Sequence, residues 1–397
     1  MADRRNDIYK DLRKAVINEI NQGSELKDEE LIRGIDSVLD KSSAEYGMGL
    51  KERTELKNRL FNSFRRLDVL QELIDDKSVT EIMINSPKEI FIEKNNRIER
   101  WELSFENSER LENIIQQIVS RINRRVNTSH PIADARLPDG SRVHIVLPPI
   151  ALKGPTVTIR KFPEPIEMDR MIRSGTISAE AAEFLKLMVR TGYNIFISGG
   201  TSSGKSTFLN ALTAYIPSDE RVITIEDSAE LRIRHVKNLV SMETRDANSE
   251  GDGEVNMSML IKASLRMRPD RIIVGEVRGA EALDMLSAMN TGHDGSLSTG
   301  HANSTEDMLT RLESMVLMAV ELPLSAIKKQ IAAGLDILVH LQRMRDHSRR
   351  VTEISEIRGV ENGEITLNKI YEFNNATGRL EKKNKLLHRE KLEINGA

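Results

Sequence analysis

One stretch of nine residues, Gly199-Gly200-Thr201-Ser202-Ser203-Gly204-Lys205-Ser206-Thr207, constrains the fold of this 397-residue chain more than any other. It matches the phosphate-binding pattern G-x-x-x-x-G-K-[ST] at every fixed position. The apolar run Ile195-Phe196-Ile197 before it predicts a buried strand, and the residues after it predict a helix. Such a strand, loop and helix cradle phosphate groups, because backbone N–H groups and the positive end of the helix dipole face the loop.

The side chains of this stretch predict a site for ATP and Mg²⁺. We expect Lys205 to reach the β- and γ-phosphates, Ser206 to offer a hydroxyl to Mg²⁺, and Thr207 to steady the turn. All of residues 199–207 are predicted to contact the nucleotide. The alternative interpretation, a glycine-rich turn with an incidental lysine, predicts no nucleotide binding.

Composition limits the classes of partner. The chain has 58 basic and 61 acidic residues, so it lacks the basic field typical of nucleic-acid binding, and no direct nucleic-acid partner is expected. It has no cysteine, which excludes disulfides and thiolate zinc sites and favours a reducing cytoplasm. No apolar run reaches the ~18 residues of a membrane span. Any membrane contact is therefore expected to be peripheral.

Hydrophobic periodicity predicts an α/β protein in several parts. Residues 1–68 have apolar positions three or four apart, which indicates helices; we expect a small bundle without chemistry, with partner binding as the alternative. Residues 69–161 alternate as strands around one helix, which indicates a compact α+β domain. Residues 162–176 are expected to form a linker that starts with the stiff sequence Phe162-Pro163-Glu164-Pro165. Residues 177–397 alternate strands and helices, which predicts a parallel sheet.

Local signals add detail to the second half of the chain. Ser178 is expected to cap a helix, and Asn362-Gly363 to form a tight hairpin turn. Basic residues near the end are interspersed with acidic ones, so we expect a solvated tail rather than a membrane anchor. These basic residues are Arg379, Lys382, Lys383, Lys385, Arg389 and Lys391.

Polar residues follow the predicted strands in a regular order. Glu226 and Asp227 come after one apolar run, Glu276 after the next, and His301 after a third. A carboxylate at such a strand end can hold Mg²⁺ through water or orient an attacking water. Taken alone, an acidic residue at a strand end is more often a helix cap or a solvated turn residue, and a single histidine is more often structural. The ordered set favours nucleotide hydrolysis.

Three motifs around these residues resemble those of the secretion ATPases, which power type II secretion, type IV pili and type IV secretion. ITIED at 223–227 is similar to their Asp box, RPDRIIVGEVRG at 268–279 to their atypical Walker B motif, and GHDGSLSTGHANS at 292–304 to their His box. The residues of the His-box segment and the sequence LPDGSRVH at 137–144 most resemble the CpaF type, the motor of the tight-adherence (Flp) pilus. The resemblance covers about residues 65 to 345.

The resemblance implies a fold and a set of site residues. The fold is a RecA-like P-loop ATPase domain with a parallel-sheet core, preceded by a smaller α+β domain and the N-terminal helical region. Glu226 would polarise the attacking water, and Glu276 would associate with the metal ion or sense the γ-phosphate. The residues expected at the metal ion are Ser206, Glu226 and Glu276. His293 and His301 would couple nucleotide state to subunit contacts. The implied catalytic residues are Lys205, Arg142, Arg160, Glu226, Glu276 and His301.

The resemblance also implies a biological role. It predicts a homo-oligomeric, hexameric ring that hydrolyses ATP and works on inner-membrane platform proteins from the cytoplasmic side. Two alternatives stay open: a type IV secretion or conjugation motor, and a nucleotide-gated scaffold with little turnover. The tetracysteine zinc module of many type II secretion relatives cannot form in this chain, because it has no cysteine.

Overall fold

The computed structural model describes residues 2–20, 27–95, 97–120, 126–162, 165–245, 247 and 252–394. The chain divides into two compact units, residues 1–163 and 164–397. Pro163 and Glu164, which the sequence places in the stiff linker, lie outside the described residues.

Unit 1 begins with a helical bundle. Its helices are α1 (Ala2–Glu19), α2 (Asp28–Tyr46) and α3 (Leu50–Arg65). The apolar residues at helical spacing, among them Leu12, Val16, Ile35 and Leu60, are buried against one another. The amphipathic pattern of the first 68 residues therefore forms its own hydrophobic core.

The rest of unit 1 is a six-stranded antiparallel sheet with helices. The elements are α4 (Leu70–Asp75), β1 (Val79–Ser86), β2 (Glu89–Lys94), β3 (Arg97–Arg100), α5 (Ser108–Ser120), β4 (Ile132–Arg136), β5 (Arg142–Val146) and β6 (Thr156–Arg160). The strand order is β3-β2-β1-β6-β5-β4. Helix α5 buries Leu111, Ile114 and Ile118 in the core of this sheet. The sequence of residues 111–122 predicts this helix, and residues 121 and 122 lie outside the described ranges.

Unit 2 is built around a nine-stranded sheet. Its helices are α6 (Met168–Arg173), α7 (Ala179–Arg190), α8 (Lys205–Thr213), α9 (Met257–Ser264), α10 (Glu281–Met289), α11 (Thr305–Ala319), α12 (Leu324–Gly334) and α13 (Glu390–Ile394). Its strands are β7 (Ile195–Gly199), β8 (Arg221–Glu226), β9 (Asn238–Glu243), β10 (Arg271–Val274), β11 (Leu297–His301), β12 (Ile337–Arg343), β13 (Arg349–Glu361), β14 (Glu364–Asn374) and β15 (Arg379–Lys382).

The strands of this sheet run in the order β15-β14-β13-β12-β7-β11-β10-β8-β9. From β12 to β9 every neighbouring pair is parallel, and from β12 to β15 the pairs are antiparallel. Ile195 and Ile197 of β7 join the core that contains α7 and α8, whereas Phe196 joins the opposite core with α10, α11 and α12. Helices thus cover both faces of β7, which explains why its sequence is continuously apolar.

Two local predictions in unit 2 are confirmed. The Ser178 hydroxyl accepts a hydrogen bond from the backbone N–H of Ala181 at 3.3 Å, as an N-cap does. Asn362 and Gly363 have φ values of 52° and 85° and connect β13 to β14 in the expected tight turn.

Two stretches differ from the expectations. The segment expected as a linker, 162–176, contains helix α6, because Met168 and Met171 lie one helical turn apart and are buried in the core of unit 2. The tail expected to be solvated contains β15 and α13 and packs on unit 2. Lys391 Nζ lies 2.7 Å from Asp336 Oδ2 and 2.6 Å from Asp294 Oδ1, so charge pairing draws this tail back to the domain.

No helix in the described parts of the chain combines the length and the apolarity needed to cross a bilayer.

Candidate active site

The sheet of unit 2 brings the predicted site residues to one edge. Strand β7 ends at Gly199, β8 at Glu226 and β11 at His301. Glu276 follows the end of β10 by two residues. These four strands are parallel neighbours, so their carboxyl ends meet, which is where ligands bind in open α/β sheets.

The phosphate-binding loop needs glycine at two positions. A side-chain carbon on Gly199 would lie 2.4 Å from the Leu341 carbonyl oxygen, so the loop can pass strand β12 only without one. Gly204 has φ 94°, in the left-handed region, and directly precedes the first residue of α8. The N–H groups of the first turn of α8 have no carbonyl partner within the helix, so they face the loop as anion donors.

Lys205 is buried in this loop. Its Nζ donates to the carbonyl oxygens of Gly199 at 3.1 Å and Gly200 at 3.2 Å, and it lies 3.1 Å from His301 Nδ1. Burial lowers the pKa of Lys205. An ammonium group only donates hydrogen bonds, so Nδ1 of His301 is the acceptor and carries no proton.

Glu276 connects His301 to two further charged groups. Its Oε1 lies 2.8 Å from His301 Nε2, and its Oε2 lies 2.9 Å from Arg278 Nη2. Arg278 Nη1 lies 3.1 Å from Asp227 Oδ2, so one guanidinium bridges the carboxylates that follow β8 and β10. Burial, followed by the charge of Lys205, lowers the pKa of His301. The sequence did not predict a role for Arg278, since nothing in its spacing separates it from a surface arginine.

Glu226 is buried beneath the loop that follows β8. Its carboxylate accepts hydrogen bonds from the backbone N–H groups of Glu230 at 3.0 Å and Leu231 at 3.1 Å. Burial raises the pKa of Glu226 to about 7. This carboxyl group therefore changes charge near neutral pH, which is the property of a group that handles protons in catalysis.

Two buried oxygen atoms at the site lack hydrogen-bond partners within the described residues: Ser203 Oγ and Glu276 Oε1. The contact of Glu276 Oε1 with His301 is close but lacks the alignment of a hydrogen bond. Such atoms suit a ligand, a water or a hydrated ion. The described parts of the chain hold no cluster of three or more His, Cys, Asp or Glu side chains placed to bind a metal.

The predicted metal ligands are placed differently. Ser206 is exposed in the first turn of α8, and Glu276 has its buried Oε1 available, so both fit a hydrated Mg²⁺ beside a bound phosphate. Both oxygens of Glu226 accept backbone N–H groups in this structure. Glu226 would have to give up these hydrogen bonds before it could bind a metal ion.

A cleft of about 550 Å³ opens beside the phosphate-binding loop. Its lining residues include Gly200, Thr201, His301, Asn303, Asp307 and Arg311. Arg311 stands one turn after Asp307 on α11, and its charge contributes to the low pKa of His301. The sequence did not predict Arg311, because the strand-end argument does not extend to a helix.

His293 is not at this edge of the sheet. It precedes the first residue of β11, whereas His301 is the last, so the two histidines lie at opposite ends of that strand. Its Nδ1 lies 3.1 Å from the Ala288 carbonyl oxygen, at the end of α10.

In unit 1 the sheet aligns three arginines. Arg136 on β4 is paired with Arg142 on β5, and Arg142 with Arg160 on β6. Directly paired residues of an antiparallel sheet share a face, so these three positively charged residues lie on one face of the sheet. The guanidinium of Arg142 also lies 5.8 Å from the centre of the Phe162 ring.

Comparison with known proteins gives the family. The sequence model of the family described as Type II/IV secretion system protein matches residues 65–384. This chain belongs to that family. The match begins at the last residue of α3, so most of the N-terminal bundle precedes it.

Family members with similar sequences include three bacterial proteins. A putative conjugal transfer protein of Mycobacterium tuberculosis is 34% identical over 74% of this chain and 85% of its own length. The probable conjugal transfer protein TrbB of Sinorhizobium fredii is 35% identical, over 75% of this chain and 88% of its own. The type IV secretion system protein PtlH of Bordetella pertussis is 32% identical, over 72% and 93%.

Two solved structures share the fold. The pilus retraction motor PilT with bound ADP has a TM-score of 0.53 at 17% identity and covers 83% of this chain and 86% of its own. The Legionella pneumophila ATPase DotB has a TM-score of 0.52 at 20% identity, over 72% and 79%. The predicted fold class is therefore confirmed: a RecA-like α/β domain preceded by a smaller domain.

Proposed function

We propose that this protein is an ATP-hydrolysing motor of a type II/type IV-like secretion or pilus assembly system. The observation that carries the proposal is the meeting of four parallel strand ends, which places the phosphate-binding loop, Glu226, Glu276 and His301 together. A site that only held a nucleotide would need the loop alone. The added acidic and imidazole groups are those that hydrolysis of a phosphoanhydride requires.

ATP would bind with its phosphates in the loop of residues 199–207. The Ser206 hydroxyl would help to hold Mg²⁺, which would supply positive charge beside the phosphates. Lys205 would turn from the Gly199 and Gly200 carbonyls to the β- and γ-phosphates. In this structure these two hydrogen bonds hold the Lys205 ammonium group at the loop.

Glu226 and Glu276 would have different roles in hydrolysis. Glu226, with its raised pKa, is suited to accept a proton from the attacking water once it is ionised. Glu276 would hold the hydrated metal ion, while Arg278 fixes the orientation of its carboxylate. His301 would respond to the γ-phosphate, since its ring lies between Lys205 and Glu276.

The arginine row of unit 1 supports assembly into a ring. Arg142 and Arg160 would neutralise phosphate charge at a nucleotide. In a ring motor, loss of that phosphate must change the conformation of the neighbouring subunit. We expect a homohexamer whose domains open and close with nucleotide state. It would work from the cytoplasmic side on inner-membrane platform proteins.

The relatives favour one branch of the family. Two of the three described above are conjugal transfer proteins and one is a type IV secretion protein, which supports the type IV secretion or conjugation motor. The names of those three do not refer to a Flp pilus, so assignment to the CpaF type stays a prediction. The expectation of no direct nucleic-acid contact also stays a prediction.

Assembly and turnover together test the ring. Mass photometry with and without a non-hydrolysable ATP analogue should show a hexamer that the analogue favours. Phosphate release per subunit should rise with protein concentration as rings form. A protein that stays monomeric with the analogue, with equal specific activity at every dilution, would refute the ring while leaving an ATPase.

A further inference from the structure

The turn between β12 and β13 lies beside the phosphate-binding loop. Strand β12 runs parallel to β7, with Leu341 paired to Gly199, so the turn at 344–348 extends past the sheet at the edge where the loop lies. Backbone hydrogen bonds from Met344 to Ser348 at 2.8 Å and from His347 to Met344 at 3.0 Å close this turn. It therefore presents its flanking residues in a defined place.

Arg349, the first residue of β13, touches the loop twice. Its Nε donates to the Ser202 carbonyl oxygen at 3.1 Å. Its Cδ would lie 3.1 Å from a side-chain carbon on Gly204, so the stem of Arg349 crosses the start of α8. Ser202 has φ 59°, a strained conformation for serine, and this hydrogen bond helps to hold it there.

The two Nη groups of Arg349 are available as hydrogen-bond donors. The side chain is exposed, and the structure gives its two Nη groups no acceptor among the residues it describes. A guanidinium presents five N–H donors in a rigid fork that matches phosphate oxygens. With Nε fixed on the loop, the Nη groups stay within reach of an anion that the loop binds.

We propose that Arg349 is a nucleotide-binding residue that shapes the loop through Ser202 and contacts the phosphates common to ATP and ADP. The inference rests on the proposed nucleotide site. Arg349 meets the loop at Ser202 and Gly204, whereas Lys205 meets His301, which in turn lies beside Glu276, on the side where hydrolysis is proposed. It therefore binds the ground state and the transition state alike, and it strengthens binding without changing the rate of the chemical step.

The test compares Arg349→Ala, Arg349→Lys and the matched control Arg345→Ala, which removes an exposed arginine from the same turn. Dissociation constants for ADP and for a non-hydrolysable ATP analogue are measured by titration calorimetry, and kcat and KM by phosphate release. Arg349→Ala should weaken both nucleotides by an equal factor, roughly tenfold or more, with kcat nearly unchanged. Arg349→Lys should weaken them too, since an ammonium is a single point donor and lacks the planar fork that reaches the Ser202 carbonyl through Nε and a phosphate through the Nη groups. Arg345→Ala should bind as the parent does.

Several results would overturn the inference. They are unchanged ADP affinity in Arg349→Ala, a fall in kcat with affinity intact, full retention of affinity in Arg349→Lys, or an equal loss in Arg345→Ala. Failure of the unaltered protein to bind ADP would instead refute the nucleotide site itself. A melting curve of each nucleotide-free variant checks folding, and Arg349→Lys keeps the test valid if the alanine variant does not fold.

Discussion

Lys205 Nζ and His301 Nδ1 lie 3.1 Å apart, so the lysine of the phosphate-binding loop donates to the histidine at the end of β11. This contact holds His301 neutral, because its Nδ1 accepts a hydrogen bond and the nearby ammonium charge disfavours an imidazolium. A γ-phosphate would compete with His301 for Lys205. The protonation of His301 is therefore tied to the occupancy of the loop.

The first prediction concerns this titration. We expect His301 in the nucleotide-free protein to titrate below the ordinary histidine pKa of about 6.5. A non-hydrolysable ATP analogue with Mg²⁺ should raise that pKa, since Lys205 moves to the phosphate and an anion takes its place. NMR of protein labelled at histidine, with the signal assigned from His301→Gln, measures both values. A pKa that the analogue leaves unchanged would contradict the exchange.

A second prediction concerns the stability that the protein loses when the buried carboxyl group of Glu226 ionises. Its folded-state pKa of about 7 exceeds the ordinary 4.5, so between these values the folded protein holds a proton that the unfolded chain has lost. Stability from this group therefore falls as pH rises through that window, by roughly 3 kcal/mol at most. Glu226→Gln has the same shape and no charge. It should melt higher than the parent at pH 8 and about equally at pH 5.

Glu226→Gln should also lose ATP hydrolysis activity. Ionised Glu226 is the proposed proton acceptor, so phosphate release by the parent should fall as the pH drops below about 7, and Glu226→Gln should be slow at every pH. Glu321→Gln, an exposed carboxylate of the same unit, serves as the control and should change neither property. A Glu226→Gln enzyme of normal rate would remove this residue from catalysis.

A third prediction concerns the arginine row of unit 1. Arg142→Ala and Arg160→Ala should each lower turnover by about tenfold or more while ATP still binds, since the proposed role of each is to neutralise charge in the transition state. Arg97→Ala, exposed on the far edge strand β3, is the control. Normal turnover in both row variants would restrict their role to structure.

Much of unit 2 follows from its sequence. The phosphate-binding loop has fixed positions, and each apolar run that ends in Glu226, Glu276 or His301 became a strand of the parallel sheet. Buried parallel strands are continuously apolar, which makes them easy to recognise. Strand β3 escaped prediction because all four of its residues are exposed, so it has no alternation to detect.

The arrangement of the arginines depends on strand register and pairing. The family resemblance implies Arg142 and Arg160, but their alignment with Arg136 exists only once β4, β5 and β6 are paired, and several registers fit the same alternation. Arg349 follows the loop by more than a hundred residues and reaches it only through the pairing of β12 with β7. Charge alone could not separate these arginines from solvated ones.

Multiple-turnover phosphate release at saturating Mg²⁺ and ATP tests the central claim most directly. We expect many phosphates released per subunit, none above background from Lys205→Ala, and a loss of at least about a hundredfold in Glu276→Gln, which keeps the shape of the side chain but loses its charge. ADP affinity in Glu276→Gln should stay within a few-fold of the parent. Release that stops at one phosphate per subunit, or that is equal in all three proteins, would contradict a motor built on this site.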